Sequence, residues 1–552
     1  MSDLKISRKD LLKLGGAGLG AAALTGVQPV FAQTPGRDQP NILFITVDQL
    51  CSLADVPDDL PLPNIRRLIQ QGRNFTNYHV HQAPCGPSRS MIYTGQYVQK
   101  TGVYTNPPGE YAQVDPETAS AVELAPDFPT IGKMLREQGY YTAYKGKWHL
   151  SMIDQRVRAK SGRSYPDTTD SLEPYGFSDY GFDGEHTGMM WAGFSHDGFI
   201  AAESISLLHR FSKGATDGKP WYLAVNFVNP HDIMFYGEDD EPASGAIGLR
   251  VPPPRVAPYD KEWNTPLPAS FYKDDLSTKP AAQRLAGPGG AAALRDEAAW
   301  RIYRSYYFNC IRDVDRYIGQ VLDALDQLGM SRNTVVFLTS DHGERAGAHK
   351  LSGKGGDIYK ETVRVPLIVR GPGVPASGDT AALAGSVDLS PTLLAMAKVG
   401  AKALAERYPQ LPGVDLSPAL ADASARTQRD KRGMFFAYTT ATFSARPAAA
   451  DAPRRTLLRG VFDGRHKFAR YFAVNEHHIP TDWKTLLAHN DLELYDTQTD
   501  PDEVNNLAKE APRHRSLILS LNAKVNQLIA TEVGADDGSI YPGETSQYQL
   551  KV

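Results

Sequence analysis

The chain has 552 residues, of which 41% are hydrophobic and 22% charged, and its formal net charge is −4. These values are ordinary for a globular protein, and the length allows more than one domain. The lack of a basic excess argues against nucleic acid as a partner. Three cysteines are too few for a disulfide framework, so at least one must be free or serve a chemical purpose.

Residues 1–32 have the pattern of an export signal peptide. A charged segment at 7–13 precedes a Gly/Ala-rich apolar run at 14–27, and the small residue Ala32 is a plausible cleavage position. Such a run is too short to span a bilayer comfortably, so we expect no stable membrane insertion. The segment resembles a twin-arginine signal with Lys9 in place of the second arginine, which leaves the export route open. We expect a periplasmic or secreted protein that uses the export machinery.

After residue 40 the chain alternates predicted strands and helices. Apolar runs rich in β-branched residues predict strands, and amphipathic runs closed by glycine predict helices. The predicted elements are a strand at 41–49, a helix at 62–72, a helix and then a strand within 128–150, a strand at 221–233, a helix at 315–329, and strands at 333–344 and 364–373. This order predicts an α/β fold with a large, mainly parallel sheet sandwiched by helices.

Polar residues stand at the carboxyl ends of several of these predicted strands. Ligands of open α/β sheets bind outside the carboxyl ends of the strands. We therefore expect these side chains to converge in one cleft. They are Asp48, residues 145–149, His231, Asp341 and His342.

Two other stretches differ in composition. Residues 233–295 are rich in Gly, Pro, Ala and Asp, which predicts a long surface excursion near the substrate mouth. From about residue 430, alternating strand patterns and a final helix at 513–530 predict a small antiparallel sheet. We therefore predict a catalytic domain at 40–425 and a small C-terminal α+β domain at 426–552.

The stretch "HQAPCGPSRSMIYTGQ" places Cys85 between two prolines, directly before a predicted helix. Cys85-Gly-Pro-Ser-Arg89 matches the Cys-x-Pro-Ser-Arg signature of the type I, formylglycine-dependent sulfatases of the alkaline phosphatase superfamily. Further segments resemble that family in its order, namely "NILFITVDQ", "YKGKWHL", "NPHD", "TSDHGE", "GKGGDIYKETVRVPLIVRGPG", "VDLSPTLL" and "LELYDTQTDPDEVNNLA". The resemblance covers nearly the whole chain after residue 40. It implies an alkaline phosphatase-like fold and hydrolysis of a small sulfate monoester to an alcohol or phenol plus inorganic sulfate.

The resemblance implies that a maturation enzyme oxidises Cys85 to Cα-formylglycine. A hydrated aldehyde attacks through one hydroxyl, and the other hydroxyl then expels sulfate. Pro87 suits the first turn of the following helix, whose N-terminus favours an anion. The alternative is a reactive or merely exposed free cysteine.

The resemblance also implies one divalent cation, bound by Asp48, Asp341, His342 and residue 85, with Gln49 as a further oxygen donor. An oxygen-rich ligand set favours Ca²⁺ or Mg²⁺, and a histidine adds Mn²⁺; we expect Ca²⁺. The commonest family pattern is an Asp-Asp pair followed later by Asp-Asn. The pairs found here look more like those of choline sulfatases and phosphonate monoester hydrolases.

Five residues match the remaining polar positions of the family: Arg89, Lys147, His149, His231 and Lys354. The resemblance implies that Arg89 holds the formylglycine hydrate and supports the metal carboxylates. Lys147 and His149 are predicted to share one face of an extended segment and to meet a sulfate oxygen and the hydrate. The resemblance implies that His231 protonates the departing oxygen, a role suited to a pKa near neutrality.

Lys354 would neutralise sulfate charge in the transition state. Lys350 and Lys360 lie nearby, so the choice among the three lysines rests on the family pattern. His79 and His81 would point to one face of a strand and could imitate a metal pair, but no further motif supports ligation there.

Two other functions stay open. A phosphonate monoester or phosphodiester hydrolase would use the same site, because its substrates have the charge and shape of a sulfate ester. A non-catalytic exported binding protein on a sulfatase scaffold is the second alternative. The presence of Cys85 and Arg89 speaks against it.

Overall fold

The computed structural model describes residues 39–107, 123–151, 170–181, 189–237, 243–245, 248–285, 294, 296–376, 378–439, 455–473 and 479–536. The predicted export signal lies outside these residues. Within them, no helix combines the length and the apolar character that crossing a lipid bilayer requires.

The strands fall into two main sheets. In chain order they are β1 Asn41–Asp48, β2 Arg73–Phe75, β3 Tyr78–His79, β4 Tyr141–Gly146, β5 Trp221–Pro230, β6 Ala243–Gly245, β7 Gly248–Arg250, β8 Thr334–Ser340, β9 Leu367–Arg370, β10 Gly378–Thr380, β11 Ala384–Gly385, β12 Met434–Tyr438, β13 Leu457–Phe462, β14 His466–Phe472 and β15 Asp491–Asp496. The larger sheet has seven strands in the order β10-β2-β9-β8-β1-β5-β4.

The α-helices flank and connect these strands. In chain order they are α1 Pro63–Gln71, α2 Cys85–Thr94, α3 Val98–Thr101, α4 Ile131–Glu137, α5 Ala192–Ser212, α6 Ala269–Lys273, α7 Ala281–Leu285, α8 Glu297–Gln327, α9 Lys360–Val363, α10 Leu389–Met396, α11 Ala401–Arg407, α12 Ser417–Ala421, α13 Gln428–Arg432, α14 Trp483–His489 and α15 Arg515–Leu528. Short 3₁₀ turns, among them His231–Phe235, lie between them.

The centre of the large sheet is parallel. β1 lies between β5 and β8 and pairs parallel with both, and β4 pairs parallel with β5. These strands are buried almost throughout, as their continuous apolar sequences predict for strands covered on both faces. The predicted fold class is therefore confirmed.

One strand of this sheet runs in the opposite direction. β9 is antiparallel to both β8 and β2. Between β8 and β9 the chain forms only a 3₁₀ turn and the four-residue helix α9. A parallel return usually runs through a helix packed on the sheet face, and this connection forms no helix of that length, so β8 and β9 pair antiparallel.

Helix α8 is longer than its sequence pattern predicts. The amphipathic pattern predicts 315–329, whereas the helix begins at Glu297, where the side chain of Asp296 accepts a hydrogen bond from the amide of Ala299. Every residue from Tyr303 to Ile311 is buried. A helix buried on all sides lacks the polar face that marks an amphipathic helix, so the pattern reveals only its second half.

The excursion predicted at 233–295 is in part buried. Its described residues include Tyr259, Trp263 and Phe271, whose relative exposures are 4%, 6% and 7%. These aromatic side chains belong to the main hydrophobic core. Glycine and proline content therefore marks an irregular backbone here, not a wholly exposed one.

The smaller sheet has four antiparallel strands in the order β12-β13-β14-β15, and α15 packs on β13 and β14. This confirms the predicted C-terminal antiparallel sheet with a final helix.

The buried Arg429 donates to Asp388 at the start of α10 (2.7 Å) and to Glu532 beyond α15 (2.8 and 2.9 Å). The domain boundary at residues 425 and 426 stays a prediction.

Candidate active site

Two carboxylates meet at the carboxyl end of the central strands. Asp48 is the last residue of β1, and Asp341 follows β8 directly. β1 and β8 are neighbours, with Val47 opposite Ser340. Both aspartates are completely buried, and the amide of Gln49 donates to Asp341 Oδ1 (3.1 Å). Parallel pairing in this register therefore brings together two acidic residues almost three hundred positions apart.

Cys85 faces these carboxylates from the first residue of α2. Its Sγ lies 3.1 Å from His342 Nε2 and 3.7 Å from Asp48 Oδ1, and the side chain is fully buried. The alternative of a merely exposed cysteine is therefore wrong. Burial, with the charge of Asp48 as the next cause, raises the pKa of the thiol to about 11. A thiol with this pKa is a poor nucleophile at neutral pH, because the thiolate is the reactive form.

His342 presents a ring nitrogen to the same point. Its Nδ1 lies 3.0 Å from the carbonyl oxygen of Gly343, an acceptor, so Nδ1 carries the proton. Burial, followed by the charge of Lys354, lowers the pKa of the imidazole to about 4. The ring is therefore neutral, and its Nε2 lone pair points toward Cys85 and Asp48, as in a metal-ligating histidine.

The four side chains form a group suited to a metal ion. Ligand atoms of Asp48, Cys85, Asp341 and His342 all lie within 4.8 Å of one another. This spacing is compatible with a shared cation, since metal–oxygen bonds are ~2.0–2.6 Å long.

Two cations compensate the carboxylates. Lys147 Nζ lies 2.7 Å from Asp48 Oδ2, and Arg89 Nε lies 2.8 Å from Asp341 Oδ2. Burial acts to raise the pKa of Asp48, but the charges of Lys147 and Arg89 outweigh it and hold the pKa well below its ordinary value. Asp48 is therefore ionised at neutral pH.

Arg89 is itself held in place by the end of the sheet. Its Nη1 donates to the carbonyl oxygen of Lys147 (2.8 Å) and to Asn226 Oδ1 (3.3 Å). Tyr93 donates to the same amide oxygen (2.6 Å). Sequence reasoning missed Asn226, although a polar residue inside the buried strand β5 was a signal that could have revealed it.

Lys147 and His149 reach the site in a different way from that expected. β4 ends at Gly146, and His149 has a φ of 55°, which belongs to the left-handed region. The two residues therefore do not share a face of an extended segment, and that expectation is wrong. Both are buried, and Lys147 is among the causes, after burial, that lower the pKa of His149.

His231 opens the 3₁₀ turn that follows β5 and is 8% exposed. Burial and then the charges of Lys147 and Lys354 lower its pKa well below the ordinary value. The expectation of a pKa near neutrality therefore does not hold for the free protein. His231 is neutral there.

Lys354 contacts the site through Gln49. Its Nζ donates to Gln49 Oε1 (2.6 Å), and Gln49 Nε2 donates to Glu344 Oε2 (2.6 Å). Lys350 is exposed, and Lys360 pairs with Asp502 (3.3 Å).

Glu344 was not predicted as a site residue. Besides Gln49, it accepts hydrogen bonds from Tyr303 and from the amides of Ala346 and Gly353. It thereby shapes the loop that carries Lys354. Its place within "TSDHGE" was the available signal.

His79 and His81 lie outside the group of four. The Nδ1 atoms of both bond to backbone carbonyl oxygens, of Asn77 and Phe435 respectively. Burial lowers the pKa of both rings, that of His81 to about 4. They pack against the C-terminal sheet, with Phe436 and Phe462 beside His79.

Comparison with known proteins decides the family. Residues 40–399 match the sequence profile described as Sulfatase, and residues 349–531 match that of the N-sulphoglucosamine sulphohydrolase C-terminal region. The chain belongs to the sulfatase family. Among its relatives, the choline-sulfatase of Rhizobium meliloti is 27% identical over 500 residues, covering 86% of this chain and 83% of that protein.

Solved structures share the fold of this sulfatase. A protein determined in complex with its substrate D-glucosamine-2-N,6-O-disulfate is 20% identical, with a TM-score of 0.63, and the match covers 91% of this chain and 99% of that one. The phosphonate monoester hydrolase of Silicibacter pomeroyi is 21% identical, with a TM-score of 0.62, covering 90% and 96%. Family membership makes the protein a sulfuric ester hydrolase, in agreement with the function predicted from the sequence.

Proposed function

We propose that Cys85 is converted to Cα-formylglycine and that this residue is the nucleophile in sulfate monoester hydrolysis. The observation that carries the proposal is the convergence of Cys85 with Asp48, Asp341 and His342 in one buried group. The raised pKa of the thiol supports it, because the unmodified side chain would react poorly here. A hydrated aldehyde supplies one hydroxyl for attack on sulfur. The second hydroxyl then loses its proton and re-forms the aldehyde, which breaks the C–O bond to sulfate and releases it.

The residues fit a divalent cation. Asp48, Asp341 and the neutral Nε2 of His342 offer three donors around residue 85, and two of these donors are carboxylates. We propose Ca²⁺, with Mn²⁺ or Mg²⁺ as alternatives. Gln49 Oε1 has a second lone pair besides the one that accepts from Lys354 and stays a proposed further ligand. When bound, such an ion withdraws charge from the ester and lowers the pKa of a neighbouring hydroxyl.

The remaining polar side chains bind and orient the ester. Lys147, His149 and Lys354 contact the sulfate oxygens or the hydrate, and Arg89 keeps Asp341 in place. His231 donates its proton to the departing oxygen. The negative charge of a bound ester offsets the two lysines that lower the pKa of His231, so we expect that pKa to rise in the complex.

A second function, phosphonate monoester hydrolysis, is favoured by one observation. The neutral His342 lies against Cys85 at the position where the commoner family pattern has an Asn, and Gln49 replaces a carboxylate. Sulfate and phosphonate monoesters both carry a single negative charge. Rates on matched aryl sulfate and aryl phosphonate esters discriminate between the two functions.

We also propose that the protein is exported and acts in the periplasm or outside the cell on a small sulfate ester. The pattern of residues 1–32 supports export. Maturation of Cys85 then requires that a formylglycine-generating enzyme act on the chain in its host. The choline-sulfatase relative supports a small alcohol as one candidate leaving group.

The test is mass spectrometry of the peptide that contains Cys85, with activity on an aryl sulfate measured on the same samples. Protein produced with and without a co-expressed maturation enzyme provides the comparison. We expect activity to rise in proportion to the fraction of aldehyde at residue 85. Equal activity in samples with only unmodified cysteine would overturn the proposal.

A further inference from the structure

Two buried carboxylates join the start of α5 to the end of β5. Asp232 is the second residue of the 3₁₀ turn that follows β5, and it accepts hydrogen bonds from the amides of Gly193 (2.8 Å) and Phe194 (2.9 Å). Asp197 lies on α5 and accepts from the amides of Val228 (2.7 Å) and Asn229 (2.9 Å). Each element thus supplies a carboxylate to the backbone of the other. We call this arrangement, formed by Asp197 and Asp232, the reciprocal clamp.

The reciprocal clamp is energetically expensive. Asp197 has no exposed surface and Asp232 is 1% exposed. Burial raises the pKa of Asp232 to about 6 and raises the pKa of Asp197 well above its ordinary value, although amide hydrogen bonds oppose both shifts. Apolar side chains would hold a helix against a strand at a lower desolvation cost. Carboxylates that bond to defined amides fix the position of the backbone more closely than apolar contact does.

The joined elements also approach each other unusually closely. A Cβ on Gly193 would lie 2.4 Å from Asn229 Cγ, so only glycine fits at this point of α5. On its other side, Asn229 Nδ2 donates to the hydroxyl of Tyr259 (2.7 Å), which donates to Asp313 (2.8 Å). The end of β5 is therefore fixed both by α5 and by the segment that contains Tyr259.

His231 lies between the two attachment points. The amide of Asn229 is two residues before it, and Asp232 is the next residue after it. We propose that Asp197 and Asp232 are positioning residues that hold His231 in the orientation from which it protonates the leaving oxygen. This inference rests on the proposed function, which gives His231 that role. A displacement of about 1 Å at such a group can lower the rate by roughly 10²-fold.

The test uses the dependence of the rate on the leaving group. Proton donation matters most when the departing alkoxide is a strong base and little when it is a stabilised phenoxide. We would measure kcat/KM for His231→Ala, Asp197→Asn and Asp232→Asn on aryl sulfates of graded phenol pKa and on one alkyl sulfate.

We expect His231→Ala to lose roughly 10²–10⁴-fold on the poorest leaving group and much less on 4-nitrophenyl sulfate. Asp197→Asn and Asp232→Asn should show the same trend with a smaller loss, about 10- to 100-fold on the poorest leaving group. If Asp232→Asn does not yield folded protein, Asp232→Ser replaces it, since serine can still accept a bond from a helix N-terminal amide.

A matched control is available in Asp315→Asn. Asp315 is also a buried carboxylate, and it accepts from the amides of Asn64 (3.2 Å) and Ile65 (2.8 Å) at the start of α1. We expect it to change all substrates by one common factor. The inference would be wrong, and the proposed role of His231 would stand, if His231→Ala shows the leaving-group trend while both clamp variants change the rate on all substrates by one common factor. A His231→Ala variant without the trend would overturn the proposed role of His231 and the inference with it.

Discussion

Removal of the divalent ion should abolish ester hydrolysis without unfolding the protein. The two carboxylates of the site do not depend on the ion for charge compensation, since Lys147 lies 2.7 Å from Asp48 and Arg89 lies 2.8 Å from Asp341. Breaking a buried ion pair by removal of one partner costs on the order of 3–5 kcal/mol. Chelation leaves both pairs intact. Chelation should therefore lower the free energy of unfolding only by the amount that ion binding contributes. That amount is about 2.7 kcal/mol when the free ion concentration is 100 times the dissociation constant.

The assay follows three quantities in one titration with chelator. Elemental analysis gives the metal content, an aryl sulfate gives the rate, and urea unfolding gives the transition midpoint. We expect the rate to fall with metal content and to return with Ca²⁺ or Mn²⁺, while the metal-free protein still unfolds cooperatively. In the Asp341→Asn variant, the urea midpoint should no longer depend on whether metal is present. Asp323→Asn, which changes an aspartate with 52% side-chain exposure, should keep it.

Two results would refute this reasoning. Full activity in protein shown by elemental analysis to lack metal would remove the ion from the reaction. Loss of cooperative unfolding on chelation would show that the ion, rather than Lys147 and Arg89, compensates the buried carboxylates.

Three further changes test the site and its surroundings. Cys85→Ser, verified as unoxidised, should release one equivalent of alcohol in a burst and then stop with one sulfo group on the peptide, because serine has no second hydroxyl; repeated turnover would contradict this. Lys354→Ala should lower kcat by about 10²–10³-fold, whereas Lys350→Ala, at an exposed position, should leave kcat unchanged; equal effects would refute the assignment. Arg429→Met should lower the free energy of unfolding by about 3–5 kcal/mol, because Glu532 loses bonds of 2.8 and 2.9 Å; an unchanged urea midpoint would contradict this.

The sheet and the converging strand ends were predictable because local patterns express them directly. The runs that form β1, β5 and β8 are buried on both faces and so are mainly apolar, with Asn226 in β5 as an exception. Side chains at the carboxyl ends of neighbouring parallel strands must lie at one edge. The proximity of Asp48 and Asp341 follows from these two rules once β1 and β8 are adjacent.

Other features depend on contacts between segments that no local pattern encodes. The direction of β9 depends on how the loop after β8 returns, and the left-handed backbone at His149 depends on the packing around it. Asn226 and Glu344 act by bonding to other side chains, Arg89 and Gln49, that come from distant parts of the chain. Single-residue patterns report burial and periodicity, so they cannot specify such pairs.

The charges of the site bear on the choice between sulfate and phosphonate esters. Arg89, Lys147 and Lys354 place three positive charges around the carboxylates of Asp48 and Asp341. The depressed pKa of His342 keeps its imidazole neutral, so it adds no charge to the site. A site with this excess of positive charge attracts any monoanionic tetrahedral ester. Charge therefore does not discriminate between a sulfate and a phosphonate monoester of the same alcohol. Discrimination must arise from the groups that contact the substituent in which the two esters differ, an oxygen on sulfur or a carbon group on phosphorus.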